Sequence, residues 1–174
     1  MLKCATRDAH LAAERGFQPF LKDPSAHIAT FLAAQLCAHE TLIEACPDVE
    51  PAARDLVDGL ARDCLSAGVT RRRLQVARPS LLHPLAVHYL IYGGRQGVAV
   101  IRRLLDRTPG LTAPAHFEAT PTLDAAWRDT VTALDAVDPA SPVARTVLQD
   151  VQAGFKIFEQ ASMACAQPTA EAAT

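Results

Sequence analysis

The sequence predicts an all-α protein built as a single-domain multi-helical bundle. Three observations carry this. Alanine, leucine and arginine are abundant while aromatic residues are only 5% of the chain, a balance that favours helix over sheet. Apolar residues recur at helical spacing, as in Ile28, Phe31, Leu32, Leu36 and Ile43. Prolines and glycines fall mostly at the ends of such runs, where they start and stop helices. The 174 residues suffice for one hydrophobic core. No internal repeat and no domain linker divides them, so one helical domain is expected over 1–166.

The elements follow in order. A first helix is expected from Leu2 to Glu14, loosened after its end by Gly16 and Pro19. A second begins at Pro24-Ser25, with Ser25 as its N-cap, and runs to Cys46 before Pro47. A third spans Pro51 to Ala67, with Pro51 at the first helical position and Gly68 just past the end. Val69 to Leu82 is ambiguous, broken by Pro79 and followed by Pro84. One long amphipathic helix is expected from His83 to Arg107, stopped by Pro109-Gly110. A fifth covers Thr122 to Val137 and contains Trp127, Val131 and Leu134. Ser141-Pro142 is a cap-plus-start signal for the last, which carries Val147, Val151, Phe155 and Phe158 to about Ala166. The tail, residues 167–174, is small and polar and is expected to fray.

Composition bounds the function. A net charge of −2 does not point to nucleic acid. Five cysteines, an odd number with no C-x-x-C spacing, argue against a disulfide framework or a zinc site and for reduced thiols in the cytoplasm. No signal peptide and no run long enough to span a membrane is visible. None of the six histidines forms H-x-x-x-H, H-E-x-x-H or Glu-x-x-His, so di-iron and zinc-hydrolase motifs are missing. Charge is uneven. Arg71 to Arg107 holds eight arginines and one acid, a local net of +7, so the remainder carries −9. The stretch reads either as a solvated face or as a docking surface for an acidic partner.

Two segments stand out. Tyr89-Leu90-Ile91-Tyr92-Gly93-Gly94-Arg95-Gln96-Gly97 puts three glycines inside the long helix. Each costs up to ~1 kcal/mol relative to alanine. Gly93 and Gly97 are four apart and share a helix face. That face admits a neighbouring helix or a flat ligand. Gly94 lies elsewhere on the helix, and adjacent glycines let it kink. In the first helix, Lys3, Thr6, His10 and Glu14 fall on one stripe. His10 can ligate a metal through one ring nitrogen while Glu14, one turn on, accepts from the other and fixes the tautomer. Without that partner context, such a histidine is an ordinary structural or solvated one, and the glycines are ordinary helix-packing glycines.

Taken together, the segments resemble heme oxygenases. Leu2-Lys3-Cys4-Ala5-Thr6-Arg7-Asp8-Ala9-His10 looks like the family's first helix, L-K-x-A-T-x-x-x-H. The glycine helix is similar to its distal helix, with Tyr89, Gly93 and Gly97 in register. Phe31, Glu44, Trp127, Phe155 and Phe158 fall where the family places similar residues, so the resemblance spans nearly the whole chain. It implies a heme oxygenase-like bundle with His10 as the proximal iron ligand, Glu14 its orienter and Lys3 a propionate contact. Gly93, Gly94 and Gly97 would form the distal catalytic platform, with Tyr89 and Val98 beside the heme. Val98 stands where a second glycine or alanine is usual, putting a branched side chain at that face. Gly94 replaces an Asp or Ser, and Arg95 has no usual counterpart. Gln149 and Gln152 lie near the family's basic propionate partners.

The activity so implied is O2- and reductant-dependent cleavage of heme to biliverdin, CO and Fe2+. Heme is substrate and cofactor, and electrons come from a reductase or ferredoxin, an acidic donor docking on the Arg71–Arg107 region. The alternatives are a non-catalytic heme- or bilin-binding protein of the same fold and a heme-independent helical interaction module. The chain would act as a monomer or homodimer.

Overall fold

A computed structural model describes residues 2–49, 51–69, 81–118 and 121–167. Every regular element in them is helical, and no strand occurs among the described residues. Most of the ambiguous Val69–Leu82 stretch, including Arg71, Arg72, Arg73 and Arg78, lies outside the described residues. So does the tail beyond Gln167.

The expected first helix is divided. α1 covers Leu2–Ala5, α2 Arg7–Gly16 and α3 Gln18–Lys22. The first division falls at Thr6. Its hydroxyl donates to the Leu2 carbonyl at 3.0 Å, and its backbone leaves helical geometry at φ −107°, ψ 4°. The Thr6 amide still donates to the same carbonyl at 3.0 Å, so the hydroxyl bond adds to the helix ladder there and does not replace it. Thr6 is buried and leaves the exposed stripe of Lys3, His10 and Glu14.

α4, Pro24–Glu44, is capped by Asp23 and not by the expected Ser25. The Asp23 carboxylate accepts from the Ala26 amide at 3.1 Å. Pro24 occupies the first helical position, so the capping residue must precede it. α5, Pro51–Ser66, ends as expected at Gly68, whose φ of +67° favours glycine. The Val69 amide donates to the Cys64 carbonyl at 2.9 Å and that of Gly68 to Leu65 at 3.1 Å, the paired closure of a glycine-terminated helix.

The long glycine helix is also divided. α6 runs Pro84–Gly93, a 3-10 turn covers Gly94–Gly97, and α7 is Val98–Asp106. His83 caps α6, its Nδ1 accepting from the Leu85 amide at 3.2 Å. Beyond a loop with a short 3-10 turn, Ala115–Phe117, come α8, Pro121–Asp135, and α9, Pro142–Ala166. The Ser141 hydroxyl caps α9 as expected, accepting from the Ala144 amide at 3.0 Å.

α9 organises the bundle, packing against α2, α4 and α6, while α5 flanks α4 and α8 flanks α6. Leu32, Leu42, Leu60, Tyr92 and Val151 are wholly enclosed between these helices. Each such side chain contributes roughly 1.5–3 kcal/mol by leaving water. Two glycines, the buried Gly154 and the exposed Gly16, are needed for close approach. A Cβ on Gly154 of α9 would sit 2.1 Å from Leu90 of α6, and one on Gly16 of α2 would sit 1.9 Å from Ser162 Oγ of α9. No described helix is long and apolar enough to cross a membrane.

Candidate functional site

The α2 stripe puts His10 and Glu14 together at the surface. His10 Nδ1 lies 3.6 Å from Glu14 Oε1, with the two side chains 52% and 53% exposed. That spacing is within ion-pair reach and slightly beyond a hydrogen bond. Phe155 of α9 meets the His10 ring edge-on at 5.2 Å, which limits how the imidazole can swing. With Nδ1 turned to the carboxylate, Nε2 is the nitrogen left for a ligand. Lys3 is exposed on α1. On the next turn of α9 toward its start, Gln152 donates to the Ala5 carbonyl at 3.4 Å. Gln149 is exposed.

The glycine segment divides its residues differently from a continuous α-helix. In a 3-10 turn, positions three apart eclipse. Gly94 and Gly97 therefore share a face, and Arg95 and Val98 share another. Burial agrees: Gly94 and Gly97 are exposed, Arg95 is half-buried and Val98 belongs to the core. The expected pairing of Gly93 with Gly97 is thus replaced by Gly94 with Gly97. A Cβ on Gly94 or Gly97 would meet nothing within 4 Å. Gly93 has a different reason to be small, because its Cβ would come 3.2 Å from the Trp127 ring of α8. Tyr89, one turn earlier, also packs on Trp127, with ring centroids 5.8 Å apart. Gly93 and Tyr89 are thus accounted for by helix packing, whereas Gly94 and Gly97 open outward.

Phe31 is a packing hub, stacked on Phe20 at 4.1 Å and meeting Phe17 edge-on at 5.3 Å. Phe158 is buried and Glu44 is exposed.

A partly buried polar cluster adjoins the glycine segment, with His39 its fully buried member, and nothing in the sequence spacing links its members. His39 of α4 donates from Nδ1 to the Gln35 carbonyl at 2.7 Å. Its ring meets Phe158 edge-on at 5.3 Å and His116 at 6.3 Å. The His116 amide donates to Asp63 Oδ2 at 2.6 Å. The Arg95 guanidinium donates to the carbonyls of His116 and Glu118. Burial, reinforced by Arg95 against the pull of the Gln35 bond, lowers the His39 pKa to about 4. Burial, with His39 and Arg95 as further causes, lowers that of His116 to about 3. Both imidazoles are therefore neutral near pH 7.

The +7 stretch is less open than its sequence suggests. Arg95 turns inward, and Arg102 pairs with Asp106 at 3.2 Å and Glu118 at 3.9 Å. Arg103 and Arg107 are exposed. Cys64 is a poor nucleophile, since burial and the nearby Asp63 push its thiol up to about 11. Among the described residues, no three His, Cys, Asp or Glu side chains gather as a metal site.

Two surfaces therefore have chemistry to offer: the His10–Glu14 stripe of α2 and the open backbone of Gly94 and Gly97. The first lies on a helix packed against α9, and the second follows α6, which also packs against α9. Phe155 meets His10, while the neighbouring Gly154 receives Leu90 of α6. Comparison with known proteins gives no match to any family model, curated protein or solved structure.

Proposed function

We propose that this chain binds heme through His10 and cleaves it as a heme oxygenase in the cytoplasm. The observation that carries the reading is the pair of outward glycines. Gly94 and Gly97 have no neighbour that forbids a side chain, and neither has the positive φ that would call for glycine. The fold itself gives no reason for them. A ligand pressed against the backbone does.

The residues take the following roles. His10 supplies Nε2 to the iron, and Glu14 orients its ring through Nδ1. Lys3 on α1 meets a propionate. Gly94 and Gly97 form the distal platform, with Gly93, Tyr89 and Val98 setting its position from the protein side. When bound, heme supplies the iron that activates O2 and is itself the molecule opened to biliverdin, CO and Fe2+. Electrons come from an acidic reductase or ferredoxin that docks beside Arg103 and Arg107.

The composition of the open face favours a second reading. Gly94, Gln96 and Gly97 include no acid or hydroxyl to organise distal water. A protein with that face holds heme or a bilin without turning it over.

Titration of the purified protein with hemin, followed by ascorbate or a reductase in air, separates these. A saturable Soret band that His10→Ala abolishes, followed by a biliverdin spectrum, is expected for the enzyme. A stable band that never bleaches identifies the binding protein. Absence of any saturable complex sinks both and leaves the helical interaction module.

A further inference from the structure

We infer that Arg95 is a latch that fixes the open glycine face by tying it to the loop carrying His116 and Glu118. The argument starts from the weakness of the segment. A 3-10 turn has poorer hydrogen bonds than an α-helix, and glycines at 93, 94 and 97 give its backbone freedom that other residues would remove. Gly94 and Gly97 make no side-chain contacts, so they contribute no packing to hold it. The polar anchor seen between these glycines is Arg95. The 3-10 geometry turns it inward, where its two terminal nitrogens donate to the carbonyls of His116 and Glu118.

The loop on the receiving end is itself held from several directions. The Asp63 carboxylate of α5 accepts from the His116 amide at 2.6 Å. Phe117 is buried and stacks on Phe31 of α4 at 6.1 Å. Arg102 of α7 pairs with Glu118 at 3.9 Å. Arg95 thus joins a pliable segment to a firm one. Lysine does not replace it fully, because a point ammonium cannot span two carbonyls as a planar fork does. The latch makes residues 94–97 and 115–118 one opening unit, and it sets where the glycine backbone stands for any ligand that rests on it. Arg95 is accordingly a positioning residue, not a catalytic one.

The ligand part of this inference rests on the heme reading; the latch does not. The first measurement is therefore amide hydrogen exchange on the heme-free full chain. In Arg95→Ala, exchange in peptides covering 93–98 and 114–118 should rise together, by about tenfold or more, while α2, α4 and α9 stay unchanged. Arg95→Lys should fall between the two. Asp63→Ala, which touches the loop and not the glycines, should also speed exchange at 93–98. No change at 93–98 in Arg95→Ala would overturn the latch. A rise spread evenly over all helices would overturn it equally, since Arg95 would then support the whole fold. With hemin, Arg95→Ala should shift the Soret band without abolishing it, whereas His10→Ala abolishes it. If wild-type protein takes up no hemin, the heme reading fails and the exchange result still decides the latch.

Discussion

At the scale of single residues, the His10–Glu14 pair is best understood by what it does not contribute. Both side chains are about half exposed and 3.6 Å apart. Ion pairs in that setting contribute at most ~1 kcal/mol to stability. Keeping a carboxylate one turn from an exposed imidazole therefore has little to do with holding the fold. If His10 ligates iron, Glu14 controls the ring through Nδ1, and such partners are worth roughly 10–100-fold in metal affinity. Glu14→Gln should leave the melting temperature within about 2 °C while weakening hemin binding about tenfold or more. Calorimetry beside a hemin titration checks this; unchanged hemin affinity would remove Glu14 from the site. His10 and Glu14 were legible in the sequence because one helical turn fixes their relation. Arg95, His39 and His116 were not. They come together across three elements, and only the tertiary fold makes one cluster of them.

At the scale of elements, the glycines divide by the reason for their smallness. Gly16 lets α2 approach α9, and its Cβ would sit 2.7 Å from Ser162 Cβ as well as against the hydroxyl. A rotamer change cannot move a Cβ, so Gly16→Ala must push the helices apart. It should destabilise by about 1–3 kcal/mol, lowering the melting temperature by roughly 2–4 °C per kcal/mol. Gly94→Ala and Gly97→Ala meet open space at ordinary φ. Each should stabilise the heme-free protein by about 0.5–1 kcal/mol. If that face receives heme, the same two variants should lower hemin affinity or turnover. Thermal melts with and without hemin test both halves, and a destabilised heme-free Gly94→Ala would refute the claim that the fold does not need this glycine. The sequence showed that the segment was unusual without showing which glycine answered to what. Continuous α-helical spacing pairs Gly93 with Gly97; the 3-10 turn pairs Gly94 with Gly97 and sends Gly93 to Trp127. Helix ends with strong chemical signals, such as Ser141-Pro142 and Gly68, were readable. The break at Thr6 was not, because threonines that bond the carbonyl four residues back also stand inside unbroken helices, as Thr41 and Thr130 do.

At the scale of the whole molecule, the helical class and the main helices followed from periodicity, since a stripe of apolar residues must find a core. Charge was harder to read. The stretch from Arg71 to Arg107 counts as +7 in sequence, yet Arg95 is spent inside and Arg102 is paired with acids. The partly buried cluster that Arg95 joins has a consequence for the entire fold. His39 faces His116 and Arg95 from the loop and the 3-10 turn, and Phe158 from α9. His116 shares that space, with Asp63 on its amide. Both imidazoles have pKa values lowered from 6.5, to about 4 and about 3. In the unfolded chain they take up protons near pH 6.5, while in the folded chain they refuse them. Stability from these groups is therefore complete above pH 6.5 and declines as pH falls toward 4, because the unfolded state binds more protons there. Each unit of lowering is worth ~1.4 kcal/mol, so both groups weaken the fold as pH falls through this window. His116→Gln removes one of the two titrations. The stability difference between pH 7 and pH 4.5, measured by urea unfolding, should shrink by about 2 kcal/mol in that variant. A pH dependence identical to wild type would mean that His116 is not held neutral in the folded protein, and the cluster would lose its part in the molecule's acid response.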